Sequence, residues 1–193
     1  MLYFRYHNTN CFFIKNKRED IYLAIDAGWP CTIREYQRSL KAIGISFSQI
    51  KMCIVTHLHM DHAGLINDFQ ESRVKFFLIG EQSDQGIDEM ERIIKKNYKD
   101  YKKIDKGKLS KVSIEEMNMI LQKEGFPGEI IKTNGHSPDS ISYITEDMEA
   151  IIGDLTPLEQ IMDDMKSEES WIYIKERRVK TIYPSHANVY EIK

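Results

Sequence analysis

The chain has 193 residues, which is enough for one domain with its own hydrophobic core and too few for two domains of ordinary size. Its 27 basic and 30 acidic side chains give a formal charge of -3, so the composition provides no overall attraction to polyanions such as nucleic acids. The three cysteines are odd in number and show no C-x-x-C spacing, which argues against a disulfide framework and against a thiolate zinc site.

The first quarter of the sequence predicts an antiparallel pair of strands followed by a helix. Residues 12–15 and 21–25 are short β-rich runs separated by a polar turn. Apolar residues at helical spacing then predict a helix over 32–42. A further apolar run at 51–56 predicts a buried strand that leads directly into His57.

The middle of the chain is predicted to be helical. A strand at 74–79 precedes a charged stretch, 81–125, which is predicted as a helical, lid-like insertion containing two helices. The apolar stripe of the first helix, which includes Tyr98 and Tyr101, is expected to dock it onto the body of the protein, with an acyl pocket as the alternative. The remainder is predicted to form strands at 129–133, 140–145, 149–153 and 181–183, with a helix from about residue 157.

An H-x-H-x-D-H cluster follows the strand predicted at 51–56. Its members are His57, His59, Asp61 and His62. Alternate residues of an extended strand end share a side, so the first two histidines can point the same way. Asp61 and His62 fall where the chain turns into a helix and can face a second point nearby. Because four titratable groups within six positions would be costly to bury without a metal, the cluster predicts a site for two neighbouring ions.

Three further candidate ligands follow strand-like runs elsewhere in the sequence. His136 lies in a Gly-His-Ser-Pro segment, Asp154 follows a glycine, and His186 follows a serine. Of the six histidines, only His7 falls outside this scheme. A fold built on sheets gathers such residues at one edge, where its strands end. We therefore expect these three side chains to meet the cluster that begins at His57.

The order of these motifs resembles that of the metallo-β-lactamase superfamily. The similarity rests on H-x-H-x-D-H, Gly-His-Ser-Pro, Gly-Asp and Ser-His, and on an Ile-Asp-Ala-Gly segment at 25–28 that is similar to the family's structural Asp-x-Gly turn. It spans about residues 20–187. The resemblance implies an α+β fold, a four-layer αββα sandwich in which two mixed β-sheets pack face to face with helices outside and metals at one edge. A single domain over 1–193 is expected.

The same resemblance divides the seven side chains into two sets of metal ligands. The implied ligands are His57, His59 and His136 for the first ion, Asp61, His62 and His186 for the second, and Asp154 as a bridge between them. Imidazole and carboxylate ligands suit Zn²⁺, Fe or Mn, and zinc is our first choice for two divalent ions. A hydroxide shared by both ions is the expected nucleophile. Asp61 is also the predicted catalytic residue, which orients the water and carries its proton toward the leaving group.

Departures from individual branches of the family narrow the expected reaction. True two-zinc β-lactamases usually carry cysteine where this chain has Asp154, so the sequence is closer to the glyoxalase II and lactonase-like branch. The expected function is metal-dependent hydrolysis of a small carboxylic ester, lactone or thioester. The short segment after His186 disfavours the glutathione thioester hydrolases themselves. Asp139 stands where the family often has glycine, and we predict that it forms an Asx turn, with an added polar contact near the site as the alternative.

Two other activities stay open as alternatives. One is a phosphodiesterase or small nuclease that uses the same binuclear centre, and the other is a mononuclear iron protein such as a sulfur dioxygenase, or a metal-binding sensor. The expected partner is a small-molecule substrate, with no nucleic acid. No window approaches the roughly 20 apolar residues of a membrane span, so no membrane partner is expected. Residues 1–7 lack a secretory signal, which makes the cytoplasm the expected location.

Overall fold

The computed structural model describes residues 1–192, which form two mixed β-sheets flanked by helices. The first sheet contains, in spatial order, β1 (Leu2–Tyr6), β2 (Thr9–Lys15), β3 (Tyr22–Ile25), β4 (Ile50–Ile54), β5 (Lys75–Ile79) and β6 (Leu109–Val112). The second contains β11 (Tyr190–Glu191), β10 (Thr181–Pro184), β9 (Glu149–Gly153), β8 (Ile141–Ile144) and β7 (Glu129–Lys132). The helices are α1 (Ile33–Ala42), α2 (Met60–Ala63), α3 (Ile66–Glu71), α4 (Asp84–Asn97), α5 (Ile114–Glu124) and α6 (Met165–Glu176).

The direction of the strands brings several strand ends to one edge of the sandwich. β1, β2 and β3 pair antiparallel, whereas β3, β4, β5 and β6 pair parallel. In the second sheet β9 and β10 are parallel, and β8 runs antiparallel to β9. The ends of β3, β4, β9 and β10 and the start of β8 consequently lie together. The amide of Ile141, at the start of β8, donates to the carbonyl of Thr56 beyond β4 at 2.9 Å, which joins the two sheets at this edge.

Alternating apolar residues divide the sandwich into layers. In β2, for example, Phe12 and Ile14 face the space between the sheets, and Phe13 faces the helices on the outside of the first sheet. The outer face of the second sheet packs against α6, where Trp171 is almost completely buried. Each large apolar side chain buried in this way contributes about 2 kcal/mol relative to its exposed state. The predicted fold class, an α+β αββα sandwich, is confirmed.

The segment 81–125 differs in part from its prediction. Its two helices are present as α4 and α5, and Ser113 and Glu116 form the capping box at the start of α5. The predicted helical stripe extends too far, because α4 ends at Asn97. Tyr98 and Tyr101 pack against the outer core of the first sheet, as the docking interpretation expected. Strand β6, which was not predicted, lies between the helices, and α5 covers the core between the two sheets.

Two further differences concern the ends of the chain and α6. Strands β1 and β11 were not predicted, and both are edge strands with exposed residues and therefore a weak apolar pattern. The helix expected from about residue 157 begins only at Met165, after a 3-10 turn at Leu158–Gln160. Its first turn is capped by Asp164, whose carboxylate accepts the N–H of Lys166 at 3.1 Å. Within residues 1–192, every helix is too short or too polar to cross a bilayer.

Candidate metal centre

All seven predicted ligands lie at the edge where the strand ends meet. They are placed as follows: His57 and His59 after β4, Asp61 and His62 in α2, His136 between β7 and β8, Asp154 directly after β9, and His186 shortly after β10. Backbone hydrogen bonds fix these segments to one another. The amide of Ser185 donates to the carbonyl of Gly153 at 3.0 Å, and the amide of Asn10 donates to the carbonyl of Ser185 at 2.8 Å.

The first group of candidate ligand atoms comprises three imidazole nitrogens and one carboxylate oxygen. Nδ1 of His59 lies 2.9 Å from Nε2 of His57 and 3.3 Å from Nε2 of His136. Oδ2 of Asp154 lies 3.8 Å from Nε2 of both His57 and His136. All four atoms fall within 4.8 Å of one another, so they surround a single point.

The second group lies immediately beside the first. Oδ2 of Asp61 is 3.3 Å from Nε2 of His62 and 3.1 Å from Nε2 of His186. Oδ1 of Asp154 is 3.4 Å from the same nitrogen of His62 and 3.2 Å from that of His186. The two oxygens of Asp154 therefore face different groups, Oδ2 the first and Oδ1 the second.

Asp26 and Thr56 orient the two most buried histidines. The fully buried carboxylate of Asp26 accepts a hydrogen bond from Nδ1 of His62 at 2.8 Å and from the backbone N–H of Thr56 at 2.7 Å. The hydroxyl of Thr56 lies 3.1 Å from Nδ1 of His57 and 3.1 Å from Oδ1 of Asp26. Because the carboxylate can only accept, Nδ1 of His62 is the protonated nitrogen, and Nε2 is directed into the site. Contacts of this kind fix ring orientation at metal sites.

Asp61 and His186 are held by the hairpin between β1 and β2 and by the turn after β3. The hydroxyl of Thr9 donates to Oδ2 of Asp61 at 3.2 Å, and Nε1 of Trp29 donates to that hydroxyl at 3.0 Å. Nδ1 of His186 donates to the backbone carbonyl of Asn8 at 2.8 Å. These contacts leave Nε2 of His186 facing the carboxylates.

The pKa shifts differ between the two groups. Burial lowers the pKa of His57 and of His136 in the first group, so these imidazoles are neutral. In the second group, hydrogen bonds with Asp154 and Asp61 raise the pKa of His186 to about 10. Burial opposes protonation of His62, but the negative charge of Asp26 outweighs it and the pKa of His62 is raised. His62 and His186 of the second group therefore carry an additional proton.

The two carboxylates of the centre are held in their ionised form. Burial works against ionisation of both Asp61 and Asp154, but the close approach of the His186 and His62 imidazoles outweighs it. The pKa of each is consequently well below the usual range for aspartate. Two carboxylates and five imidazoles thus meet in one place, and protonated histidines balance negative charge there.

The residues present fit a pair of divalent ions. Ligand atoms about 2.1 Å from one tetrahedral ion lie about 3.4 Å apart, and most of the distances within the two groups are close to that value. Nε2 of His62 and Oδ1 of Asp154 are buried 3.4 Å apart, but within residues 1–192 neither has a partner at hydrogen-bonding angles, which each would need in a metal-free interior. The donor set contains imidazole and carboxylate but no thiolate, which suits zinc, iron or manganese.

The centre is accessible from one side. His57 and His62 have no exposed surface and form its floor. His59 and His136 are exposed, and the side chain of His186 is 36% exposed, so these three imidazoles surround the mouth. A small molecule can therefore approach Asp154 and Asp61 from the solvent.

Several residues that contact the ligands were not predicted to do so. Asp26 was assigned only to a structural turn, yet its side chain binds His62, and Thr9 had no predicted role. The Asx turn predicted at Asp139 is wrong, and its hydrogen bonds agree instead with the alternative, a polar contact near the site. Its Oδ2 accepts the backbone N–H of Leu58 at 2.8 Å and its Oδ1 accepts the hydroxyl of Ser137 at 2.7 Å, so it ties the loop of His136 to the segment between His57 and His59.

Comparison with solved structures finds the same fold in several proteins. An archaeal metallo-beta-lactamase superfamily protein from Sulfolobus tokodaii is 18% identical, with a TM-score of 0.61 over 95% of this chain and 75% of the other. A metallo-beta-lactamase family protein from Thermus thermophilus is 14% identical, with a TM-score of 0.64 over 97% and 72%. The protein TTHA1623, solved in a di-iron-bound form, is 16% identical, with a TM-score of 0.69 over 98% and 93%.

Likeness at these identities establishes the fold, and a comparison of sequence families goes further. The model of the metallo-beta-lactamase superfamily matches residues 5–186, which includes all seven candidate ligands and the turn at Asp26. The matched range ends at His186, the last of the ligands in the chain. With its layered fold, its motif order and this match over most of its length, the chain belongs to the metallo-beta-lactamase superfamily.

Proposed function

We propose that the chain is a metal-dependent hydrolase that cleaves a small carboxylic ester, lactone or thioester at a centre of two divalent ions. The observation that carries the proposal is the position of Asp154, whose two oxygens face two separate ligand groups. A carboxylate placed in this way would be a ligand of both ions, which would activate water for hydrolysis when bound. Membership of a superfamily that consists mostly of hydrolytic enzymes supports the same reaction class.

The ligand assignment follows from the two groups. His57, His59 and His136 would hold the first ion, and Asp61, His62 and His186 the second, with Asp154 between them. Zinc is the proposed metal, because it accepts both imidazole and carboxylate ligands and has no redox chemistry. When bound, the ions would polarise the scissile carbonyl and lower the pKa of water to near neutrality.

The side chains of the chain supply the positioning and the proton transfer. Asp61 is held as an ionised acceptor by His186, His62 and Thr9, so it can accept the O–H of the attacking water and orient it. The same carboxylate then carries the proton to the leaving group. Asp26 and the carbonyl of Asn8 hold the rings of His62 and His186 in place during this transfer.

The proposal is tested by elemental analysis of the purified full-length protein combined with a substrate screen. We expect two equivalents of zinc per chain and metal-dependent turnover of an ester, lactone or thioester, with β-lactams and phosphodiesters as the comparison substrates. One equivalent of iron, with oxygen uptake in the presence of a persulfide, would instead identify a dioxygenase. Turnover of phosphodiesters alone would reject the proposed substrate class.

A matched pair of histidine variants connects the metal to the assigned ligands. His57→Asn removes a buried nitrogen of the first group and is expected to reduce both the metal content and the turnover. His7→Asn changes an exposed histidine that pairs with Glu35, outside the centre, and is expected to leave both unchanged. Retention of both ions by the His57 variant would contradict the ligand assignment.

A further inference from the structure

A cavity of about 350 Å³ opens beside the first ligand group. Its walls come from the segment 58–59 after β4, from α4 as far as Ile93 with the turn before it, and from the turn 137–139 after His136. His59 is part of the lining, so the cavity is continuous with the candidate metal centre. A molecule bound in it would therefore lie next to the first ion.

The floor of the cavity is apolar and closely packed. Leu58 and Met90 are buried, and Gly86 allows α4 to approach closely, because a Cβ at that position would lie 2.8 Å from Cδ1 of Leu58. Ile93 also lines the cavity but is 50% exposed, and Pro138 completes the apolar lining. An apolar group bound here would cover the side chain of Ile93, which the protein itself leaves in contact with water.

The charged groups in the lining are all acidic. Glu81, Glu89 and Asp139 line the cavity, and no lysine or arginine among residues 1–192 does so. Lys132 approaches Glu81 at 3.5 Å from outside the lining and offsets one of the three charges. Glu89 accepts a hydrogen bond from Gln85 at 3.1 Å, and Asp139 accepts from Leu58 and Ser137, all of them neutral donors. The side chains that line the cavity therefore carry a net negative charge.

We propose that this cavity binds the part of the substrate next to the scissile bond, and that this part is an apolar chain with a positively charged end. This inference rests on the proposed hydrolase function and names the substrate class of the same site. The apolar chain packs on Leu58, Met90 and Ile93, and the cation lies near Glu89. Opposite charges favour the bound state, and a carboxylate or phosphate at the same position is repelled by like charge.

Binding of non-hydrolysable ligands tests the cavity independently of turnover. The ligands are hexyltrimethylammonium, 1-hexanol and hexanesulfonate, which share one chain and differ in charge, and sulfonate is a weak ligand for metals. Affinities are measured on the full-length protein of known metal content, with amide chemical shifts of Leu58, Gly86 and Ile93 to locate the site. We expect the cation to bind most tightly, about tenfold more tightly than the sulfonate, with the alcohol between them.

Three variants separate charge from packing. Glu89→Gln is expected to weaken binding of the cation about threefold and to leave the alcohol unchanged. Ile93→Ser is expected to weaken the binding of all three ligands, because it removes apolar surface of the protein that each of them contacts. Glu19→Gln is the matched control, because it makes the same charge change far from the cavity. Glu19 lies in the turn between β2 and β3, at the end of β3 opposite the metal centre. This variant is expected to alter none of the affinities.

The outcomes distinguish this inference from the function on which it rests. Binding of hexanesulfonate as tight as that of the cation, shifts confined to residues outside the cavity, or no binding of any ligand would overturn the inference. Each of these results would leave ester hydrolysis by the metal centre standing if the substrate screen succeeds. Selective binding of the cation in a protein that hydrolyses none of the substrates would support the inference about the cavity and reject the hydrolase proposal.

Discussion

Asp26 and His62 form a pair in which neither side chain has exposed surface, with Oδ2 of the carboxylate 2.8 Å from Nδ1 of the ring. Asp26 follows β3, His62 lies in α2, and the same carboxylate also accepts the N–H of Thr56 beyond β4. One side chain thus joins the end of β3, the segment after β4 and helix α2, and directs Nε2 of His62 toward Asp154. The geometry of the second ligand group therefore depends on a residue that does not belong to it.

The variant Asp26→Asn is expected to lose the second ion and much of the stability of the fold. The amide is neutral, so it cannot balance a protonated His62, and its nitrogen cannot accept from Thr56. Breaking a buried pair of this kind costs about 3 to 5 kcal/mol. Metal analysis should give about one equivalent per chain, and denaturant unfolding should show the loss in the free energy of unfolding.

A matched variant controls for the chemical change from carboxylate to amide. Asp20→Asn alters an exposed aspartate that pairs with Lys15 in the turn before β3. Its metal content and unfolding midpoint should equal those of the wild type, because exposed ion pairs contribute little. If the Asp26 variant also kept two ions and the wild-type midpoint, the orienting role of Asp26 would be wrong.

The variant Asp61→Ala is expected to reduce kcat by about a thousandfold while the fold is retained. It removes the carboxylate that orients the water and carries the proton, but only one ligand of the second group. Steady-state rates with the best substrate and the circular dichroism spectrum provide the two measurements. The control Asp100→Ala changes an exposed aspartate in the loop after α4 and should have wild-type rates. Wild-type rates from the Asp61 variant would reject the mechanism.

The variant Thr9→Val tests the contact that holds Asp61. Valine keeps the shape of threonine but removes the hydroxyl that donates to Asp61 and accepts from Trp29. Loss of such a supporting contact is expected to lower the activity or the metal affinity by about tenfold to a hundredfold. The kcat of the variant at saturating zinc, relative to that of the wild type, reports the effect on activity alone. A zinc titration reports the effect on metal affinity. An unchanged kcat and an unchanged zinc affinity would show that Asp61 is held by His186 and His62 alone.

The metal-ligand motifs could be predicted from the sequence because each depends on residues that lie close together in the chain. The spacing of His57, His59, Asp61 and His62 after an apolar run indicates a metal site, and the runs before His136, Asp154 and His186 indicate strand ends. The contacts of Asp26 were not predictable in the same way. Its partners Thr56 and His62 lie 30 and 36 positions away, and only the pairing of β3 with β4 brings them together.

The lining of the cavity shows the same limitation. The apolar stripe of α4 indicated a buried face, but Ile93 lies to one side of that face and contacts the cavity instead. Its position depends on how far α4 approaches Leu58, which is set by Gly86. No pattern within the helix encodes that distance, so the sequence predicted the helix but not the residues that it presents to the site.

The affinity for the second ion is expected to depend more steeply on pH than the affinity for the first. Imidazoles must lose their protons to bind a metal. The hydrogen bonds to Asp154 and Asp61, which raise the pKa of His186 to about 10, keep this ring protonated near neutral pH. Since burial lowers the pKa of His57, the first ion displaces no proton there. A fall in pH therefore weakens the binding of the second ion first. Its affinity falls by about tenfold per pH unit for each proton displaced.

Competition with a chelator between about pH 6 and pH 9 measures this difference. The affinity of the weaker site should rise with pH across the whole range, and that of the stronger site should change less. Calorimetry in buffers with different ionisation enthalpies counts the protons released as each ion binds. Equal pH slopes for both ions, or proton release only with the first, would contradict the assignment of protonated histidines to the second group.

A pair of glycine variants tests how closely Asp154 is fixed by the backbone before it. Gly153 has a φ of +59°, and a Cβ there would lie 2.9 Å from the side chain of Thr56. Gly44, after α1, has a φ of +81° with nothing within 4 Å of such a Cβ. Alanine at either position adopts a left-handed conformation at a cost of about 1 kcal/mol. Only at Gly153 does the methyl group also press on Thr56.

Gly44→Ala should therefore lose about 1 kcal/mol of unfolding free energy and keep both ions. Gly153→Ala should lose about 1 to 3 kcal/mol more, because the contact with Thr56 must be relieved by movement of β9 or β4. That movement displaces Asp154, which faces both ligand groups, so the metal content should fall below two equivalents. Equal stability losses and full metal content in both variants would show that the end of β9 can adjust without disturbing Asp154, and that the bridge does not depend on the close approach of Gly153 to Thr56.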